Sequence, residues 1–258
     1  MSLLFIDTHC HLDAAEFDAD RDAVAARARA AGVEVIVVPA VERANFSAVR
    51  ETCRHQAGCF PALGIHPLYV NGAVPADLEV LRAEIAGQRP LAVGEIGLDF
   101  FVADQDRDRQ AYFFSEQLKI ARDAGLPVLL HLRRAQDAVL KHLRRIRPPG
   151  GIAHAFNGSR QQAEAFIGLG FKLGFGGAMT WPRALNLRRL AATLPLEAIV
   201  LETDAPDMPP EFIGRGHNSP ETLPRIAQCL ADLRGLPLAE IAAATRANAL
   251  QALPGLEG

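Results

Sequence analysis

The sequence of 258 residues has little of what marks secreted or membrane proteins. It contains only four cysteines, at positions 10, 53, 59 and 229, and none of them has the Cys-x-x-Cys spacing of a redox or zinc motif. Residues 3–6 are apolar, but this run is too short for a signal peptide and no positive charge precedes it. We therefore expect a cytoplasmic protein with reduced thiols and no membrane association.

Positive charge and aromatic side chains are also scarce. Lysine and arginine number 27 against 30 acidic residues, giving a net charge of −3, which excludes a broad basic face for nucleic acid but not a local positive cleft. Aromatic residues make up 6% of the chain, so few side chains could stack on bases. A hydrophobic fraction of 49% excludes disorder and fits an ordinary globular domain. The loop aromatics that could stack are Tyr69, Phe100, Phe101, Phe156, Trp181 and Phe212.

Short apolar runs alternate with amphipathic stretches along the whole chain, a pattern typical of βαβ units around a parallel sheet. Eight such runs in a chain of this length predict one domain, residues 1–258, folded as a (β/α)8 TIM-type barrel with an extra C-terminal helix. A doubly wound open sheet is the alternative. The predicted strands are 3–7, 33–39, 60–64, 91–94, 127–132, 151–155, 171–175 and 198–202. The predicted helices are 18–31, 43–56, 76–87, 106–124, 135–147, 160–169, 182–194, 220–233 and 238–250.

Ionisable residues follow the predicted strands at the end where a barrel collects its reactive groups. His9 and His11 are two residues apart after strand 1, so they can face one cation together, although a barrel rim also tolerates inward polar residues. The other strand ends contribute Glu95, His131, His154 and Asp204.

Each of these six residues has a structural explanation when taken alone. A lone histidine can be a satisfied core residue, Glu95 could pair with an arginine, and Asp204 could cap the turn at Ala205-Pro206. Together, four imidazoles and two carboxylates are more than the three protein ligands that one catalytic zinc binds. Six ligands suit two divalent cations that share a carboxylate. The donor types are compatible with Zn²⁺, Mn²⁺ or Mg²⁺, and no lysine at these strand ends could supply a carbamate bridge.

The motifs as a set resemble the TatD family of metal-dependent hydrolases, within the amidohydrolase superfamily. They are spread over residues 7–206 and appear in the family's order. The matching segments are Asp7-x-His9-x-His11, Gly64-Ile65-His66-Pro67, Gly94-Glu95-Ile96-Gly97-Leu98-Asp99, His131-x-Arg133, His154-x-Phe156-x-Gly158 and Glu202-Thr203-Asp204-Ala205-Pro206. Asn248-Ala249-Leu250 is similar to the Asn-containing helix that ends the family's chains.

The resemblance implies a hydrolase of phosphodiester bonds, often a 3′-5′ deoxyribonuclease, that uses two divalent metals and a bridging hydroxide. It implies that His9, His11 and Asp204 hold one metal, that His131 and His154 hold the second, and that Glu95 bridges them. Asp204 would also accept the proton of the nucleophilic water, and His66 would contact the scissile phosphate.

Arg133 lies two residues after His131, so we expect it to share that face and bind substrate phosphate; a salt bridge to a neighbouring loop is the alternative. The expected partner is DNA or another phosphoester, with no obligate protein partner. Hydrolysis of a small ester, amide or phosphomonoester is an alternative, as is a metal-stabilised binding protein. Asn218-Ser219-Pro220 replaces the Asn-Glu-Pro that the family's nucleases tend to carry, which affects the choice of substrate rather than the metal chemistry.

Overall fold

Eight parallel strands alternate with helices in the computed structural model, which describes residues 3–256. The predicted (β/α)8 barrel with an extra C-terminal helix is confirmed. The strands are β1 (Phe5–Asp7), β2 (Val33–Pro39), β3 (Cys59–Leu63), β4 (Ala92–Asp99), β5 (Val128–Arg133), β6 (Gly151–Ala153), β7 (Phe171–Phe175) and β8 (Ile199–Leu201). The helices are α1 (Arg21–Ala30), α2 (Phe46–His55), α3 (Pro75–Gly87), α4 (Arg107–Ala124), α5 (Gln136–Ile146), α6 (Arg160–Gly168), α7 (Leu185–Thr193), α8 (Leu223–Arg234) and α9 (Leu238–Ala252).

The strands pair in chain order from β1 to β8, without the order reversal that a doubly wound sheet requires, so the open-sheet alternative is wrong. Closure between β8 and β1 depends on a few hydrogen bonds. The backbone N–H of Thr8 donates to the carbonyl of Leu201 at 3.1 Å. Beyond it, Asp204 N–H donates to the carbonyl of His9 and His11 N–H to that of Ala205, each at 2.8 Å. The seam that closes the barrel therefore runs through the chain segments that carry His9, His11 and Asp204.

The largest difference from the predicted boundaries is in β4, which continues to Asp99 instead of ending at Gly94. Gly94 and Gly97 lie inside the strand because they allow β5 to approach closely. A Cβ at Gly94 would touch the side chain of Leu129, and one at Gly97 would overlap the carbonyl of His131. The two glycines mark this close packing, and Glu95 consequently projects from a strand and not from a loop.

The C-terminal helix α9 packs against the end of the barrel opposite the strand carboxyl ends. Ala249, Ala252 and Leu253 are buried in one cluster with residues that the strands direct into the barrel, such as Ile6 and Val200. The buried Asn248 side chain donates to the carbonyls of Leu196 at 2.8 Å and Ile199 at 2.7 Å, which ties α9 to the start of β8. Among residues 3–256, none of the helices combines the length and apolarity needed to cross a bilayer.

Candidate metal centre

The six predicted ligands meet at one mouth of the barrel. His9 and His11 follow β1, Glu95 lies in β4 and His131 in β5, whereas His154 follows β6 and Asp204 follows β8. His9 is fully buried, and the other five line a cleft of about 1270 Å³. Residues separated by most of the chain are thus within reach of one another.

Glu95 lies between two pairs of histidines. Its Oε2 is 3.1 Å from His9 Nε2 and 3.8 Å from His11 Nε2. Its Oε1 is 2.9 Å from His131 Nδ1 and 3.5 Å from His66 Nε2. Burial alone would raise the pKa of Glu95, but the surrounding histidines hold that pKa well below its usual value. Glu95 is therefore an ionised carboxylate with one oxygen directed to each pair.

Asp204 connects His154 to the first of these pairs. Its Oδ1 is 3.7 Å from the Nε2 atoms of both His9 and His11, and its Oδ2 is 3.4 Å from His154 Nε2. His154 also stacks on His9, with 3.6 Å between ring centroids. Burial would raise the pKa of Asp204, yet His154, His9 and His11 lower it to about 2. A second ionised carboxylate is thus held in the same cluster.

Within residues 3–256, three groups of side chains could each hold a metal ion, because their ligand atoms all lie within 4.8 Å of one another: His9, His154 and Asp204; His9, His11 and Glu95; and His66, Glu95 and His131. His131 and His154, which the family resemblance assigns to one metal, fall in different groups.

His9 provides a test of whether a cation fits here. Its side chain is completely buried, and among residues 3–256 neither ring nitrogen has a hydrogen-bond partner, although Glu95 Oε2 lies 3.1 Å from Nε2. A buried polar atom without a partner costs about 1–3 kcal/mol. A cation at Nε2 would satisfy this atom and would suit a donor set of imidazoles and carboxylates without thiolate. The residues present therefore fit a divalent metal.

His66 is a buried histidine whose hydrogen bonding identifies its tautomer. Its Nδ1 accepts a hydrogen bond from the backbone N–H of Leu68 at 3.2 Å, and burial lowers the pKa of the ring to about 3. A neutral imidazole that accepts at Nδ1 carries its proton on Nε2. The Nε2–H group points towards Glu95 and has no lone pair for a metal, so His66 is suited to donate a hydrogen bond to a ligand in the cleft.

Two carboxylates that the sequence reasoning left without a role hold the histidines in place. Glu202 Oε2 is 3.1 Å from His154 Nδ1, and its Oε1 accepts the backbone N–H of Ala155 at 2.6 Å. Asp99 Oδ2 lies 3.0 Å from His131 Nε2. A carboxylate on the second ring nitrogen fixes the orientation of a metal-binding histidine. Both residues stand in the quoted motifs, but only proximity to a ring identifies this role.

The position of Glu202 depends on a glycine in the neighbouring strand. A Cβ on Gly174 of β7 would overlap the Glu202 carboxylate. We expect Gly174→Ala to lower the free energy of unfolding by about 1–3 kcal/mol, the usual cost of overpacking, and to lower the metal content because Glu202 no longer holds His154. Urea denaturation and elemental analysis measure the two effects.

Gly168, at the end of α6, is the matched control, because a Cβ there meets nothing within 4 Å. Gly168→Ala is expected to change the unfolding free energy by less than about 1 kcal/mol. A Gly174→Ala protein as stable and as metal-rich as this control would contradict the packing argument.

Arg133 reaches the cleft from β5 and stacks on an aromatic ring. Its guanidinium carbon is 3.7 Å from the ring centroid of Phe101, and that of Arg134 is 4.7 Å from it. All three side chains line the cleft and are exposed. Within residues 3–256, Arg133 forms no salt bridge, so the predicted alternative of a structural ion pair is not found.

Asn218, in the segment that departs from the family pattern, is buried and braces the loop after β8. Its side-chain amide donates to the carbonyl of Thr203 at 2.8 Å, and its Oδ1 accepts from Thr222 Oγ1 at 2.9 Å. Asn218 N–H donates to the carbonyl of Pro206 at 2.9 Å. This residue therefore supports the loop that follows Asp204.

Comparison with known proteins finds similar chains over nearly the whole length. The family described as "TatD related DNase" matches residues 6–254. The chain is 44% identical over 248 residues to the uncharacterised metal-dependent hydrolase YjjV of Escherichia coli K12, covering 95% of each chain. The crystal structure of YjjV superimposes with a TM-score of 0.94 at 42% identity, covering 98% of this chain and 99% of that one.

A second relative has a more specific name. The chain is 34% identical over 250 residues to the 3′-5′ ssDNA/RNA exonuclease TatD of Klebsiella pneumoniae strain 342, covering 94% of this chain and 95% of the relative. The family match extends over nearly all of the described barrel. The resemblance found in the sequence motifs is confirmed, and the chain belongs to the TatD family of metal-dependent hydrolases.

Proposed function

We propose that this enzyme cleaves phosphodiester bonds of nucleic acid, as a 3′-5′ deoxyribonuclease-type activity, at a pair of divalent cations. The position of Glu95 is the observation that carries the proposal. One of its oxygens faces His9 and His11, and the other faces His131. A carboxylate placed in this way can contact two cations, as the shared ligand of a two-metal phosphodiesterase does. The name of the Klebsiella relative supports nucleic acid as the substrate.

The proposed ligand sets are those that the resemblance to the family implies. His9, His11 and Asp204 would hold one cation, His131 and His154 the other, and Glu95 would contact both. Because the ligand atoms of His131 and His154 belong to different groups, their binding to one ion requires the two rings to approach each other. Zn²⁺, Mn²⁺ and Mg²⁺ all suit these nitrogen and oxygen donors.

Residues of the cleft would transfer the proton and bind the phosphate. When bound, two divalent cations lower the pKa of water and neutralise charge on the phosphoryl oxygens. Asp204, ionised at neutral pH, accepts a proton from the attacking water. His66 donates its Nε2–H to a phosphate oxygen and stabilises the charge that develops there. Arg133 binds phosphate at the rim of the cleft.

Substrate profiling tests the proposal. The purified protein would be analysed for metal and assayed on single-stranded DNA, on 3′-recessed DNA and on bis(p-nitrophenyl) phosphate, with and without chelator. We expect chelator-sensitive cleavage of all three. Turnover confined to phosphomonoesters, carboxylic esters or amides would instead support the alternative hypothesis, a hydrolase of small esters, amides or phosphomonoesters. Bound metal without turnover of any of these substrates would favour a metal-stabilised binding protein.

His66→Ala is expected to separate substrate binding from metal binding. The variant loses the Nε2–H donor but no atom that can ligate a metal, so its metal content should match the wild type. Loss of one hydrogen bond to developing charge costs about 10²–10³-fold in kcat. Elemental analysis and steady-state kinetics measure both quantities. Loss of metal from the variant would instead make His66 a ligand.

A further inference from the structure

The mouth of the cleft is electrostatically divided. The loops after β1, β2 and β8 contribute Asp13, Glu16, Glu42 and Asp207 to its lining, whereas the segment that ends β5 contributes Arg133 and Arg134. In a barrel whose eight strands pair in chain order, β5 lies across the mouth from β1. An acidic wall therefore faces a basic one, with the candidate metal centre between them.

Charges on the acidic wall are not neutralised by arginines of the opposite wall. Asp13 accepts from Asn45 Nδ2 at 3.0 Å through one oxygen, while its buried Oδ1 has no hydrogen-bond partner among the described residues. A phosphate that continued past this wall would meet like charge. A polyanion anchored at the cations is therefore repelled from this wall and attracted towards β5.

On the basic wall, an aromatic ring holds the two arginine side chains in position. Phe101, 46% exposed, carries the guanidinium of Arg133 at 3.7 Å and that of Arg134 at 4.7 Å from its ring centroid. Cation–π contact restricts the two guanidiniums to one place above the cleft rim. Arg134 has a left-handed backbone conformation, with φ at 55°, which turns the chain directly after β5. After this turn, the guanidinium of Arg134 lies over the same ring as that of Arg133.

We propose that Arg133, Arg134 and Phe101 form a subsite for the phosphate of the nucleotide next to the scissile bond, on the side of the chain that the enzyme retains. Two guanidiniums supply planar donors that match phosphate oxygens, and Phe101 positions them. This inference rests on the proposed function, because it takes a nucleic acid as the substrate. The opposite acidic wall repels any leaving fragment that carries several phosphates. The subsite therefore directs cleavage to the end of a strand.

The test measures binding apart from turnover. Affinity of the metal-loaded protein for a short fluorescein-labelled phosphorothioate oligothymidylate, chosen because it resists cleavage, would be followed by anisotropy over a range of KCl concentrations. The Arg133→Gln/Arg134→Gln double variant is expected to bind about tenfold more weakly, and its plot of log affinity against log salt should be shallower by about 0.7, the contribution of one single-strand phosphate. Phe101→Ala, which removes no charge, should weaken binding about fivefold through loss of cation–π contact.

Matched controls exclude a general effect of charge or of aromatic loss. Arg144→Gln/Arg147→Gln removes two exposed arginines at the end of α5, and Tyr112→Ala removes a similarly exposed ring on α4; none of these residues lines the cleft. Both controls should bind like the wild type. Equal losses in the controls, an unchanged salt slope in the double variant, or no binding by the wild type would each overturn the subsite.

A kinetic comparison then separates failure of the subsite from failure of the proposed function. The ratio of kcat/KM for the oligonucleotide to that for bis(p-nitrophenyl) phosphate, which has no second phosphate to occupy the subsite, is expected to fall about tenfold in the double variant, equivalent to about 1.4 kcal/mol. Wild-type protein that cleaves both substrates with a ratio insensitive to the substitutions would leave the phosphodiesterase intact and remove the subsite. Wild-type protein that cleaves neither substrate would overturn the proposed function and the subsite with it.

Discussion

Replacing Asp204 by asparagine is expected to lower kcat/KM for a phosphodiester by about 10³-fold, within the range typical of a lost general base. The amide has nearly the same shape as the carboxylate but neither accepts a proton nor carries the charge that faces His9, His11 and His154. Asp204 has a left-handed backbone, φ 57°, and asparagine tolerates that conformation better than most residues do. The fold should therefore survive. Kinetics at saturating Mn²⁺, with metal analysis and a circular dichroism melt, measure the effect.

Asp104→Asn is the matched control for this experiment. Asp104 is also an aspartate with a left-handed backbone, φ 61°, but it is exposed and does not line the cleft. Its variant should retain the wild-type rate. Near-normal turnover by Asp204→Asn would remove the proposed base, whereas a lower metal content would show that Asp204 acts mainly as a ligand.

Removal of metal is expected to lower the melting temperature of the protein by about 10 °C and its activity to background. A cation that binds only the folded protein, at a thousandfold excess over its Kd, stabilises it by about 4 kcal/mol. In a chain of this size, each kcal/mol of stability changes the melting temperature by roughly 2–4 °C. In the part of the chain that the structure describes, the nitrogens of buried His9 have no hydrogen-bond partner, which explains why the metal-free protein should be less stable. Differential scanning calorimetry before and after dialysis against EDTA, with Mn²⁺ or Zn²⁺ restored, measures the shift.

His9→Gln provides the comparison that assigns the shift to this centre. Its melting temperature should respond little to chelator, whereas His55→Gln, which removes an exposed histidine beside Glu51, should respond like the wild type. A wild-type melting temperature that is the same with and without chelator, in a preparation shown to contain metal, would contradict a stabilising centre.

The fold and the clustering of the six candidate ligands follow from short-range features of the sequence. Apolar runs separated by amphipathic stretches specify βα units, and a residue after the end of a parallel strand lies at a known edge whatever its distance along the chain. For this reason the sequence alone predicts that His154 and Asp204 lie at the same mouth of the barrel. Helix ends were similarly readable: α4 stops at Gly125, which adopts the left-handed φ of 60°.

The features that were missed depend on side-chain proximity. Gly94 reads as a strand end, but its role is to let β5 pass close to β4. The orienting contacts of Glu202 and Asp99 depend on which ring nitrogen lies nearest, and periodicity contains no such information. The tautomer of His66 is set by one backbone N–H, that of Leu68, so it also required the structure.

The seam between β8 and β1 determines when the metal centre can form during synthesis of the chain. Thr203 donates to the carboxylate of Asp7 across a separation of 196 residues, and His9 and Asp204 are held together by the same junction. A chain still emerging from the ribosome has the early histidines but not the late aspartate, so it cannot assemble the complete chelating set. Loading of the ion is thereby postponed until synthesis of the barrel has finished, and truncated translation products should not sequester metal at this centre.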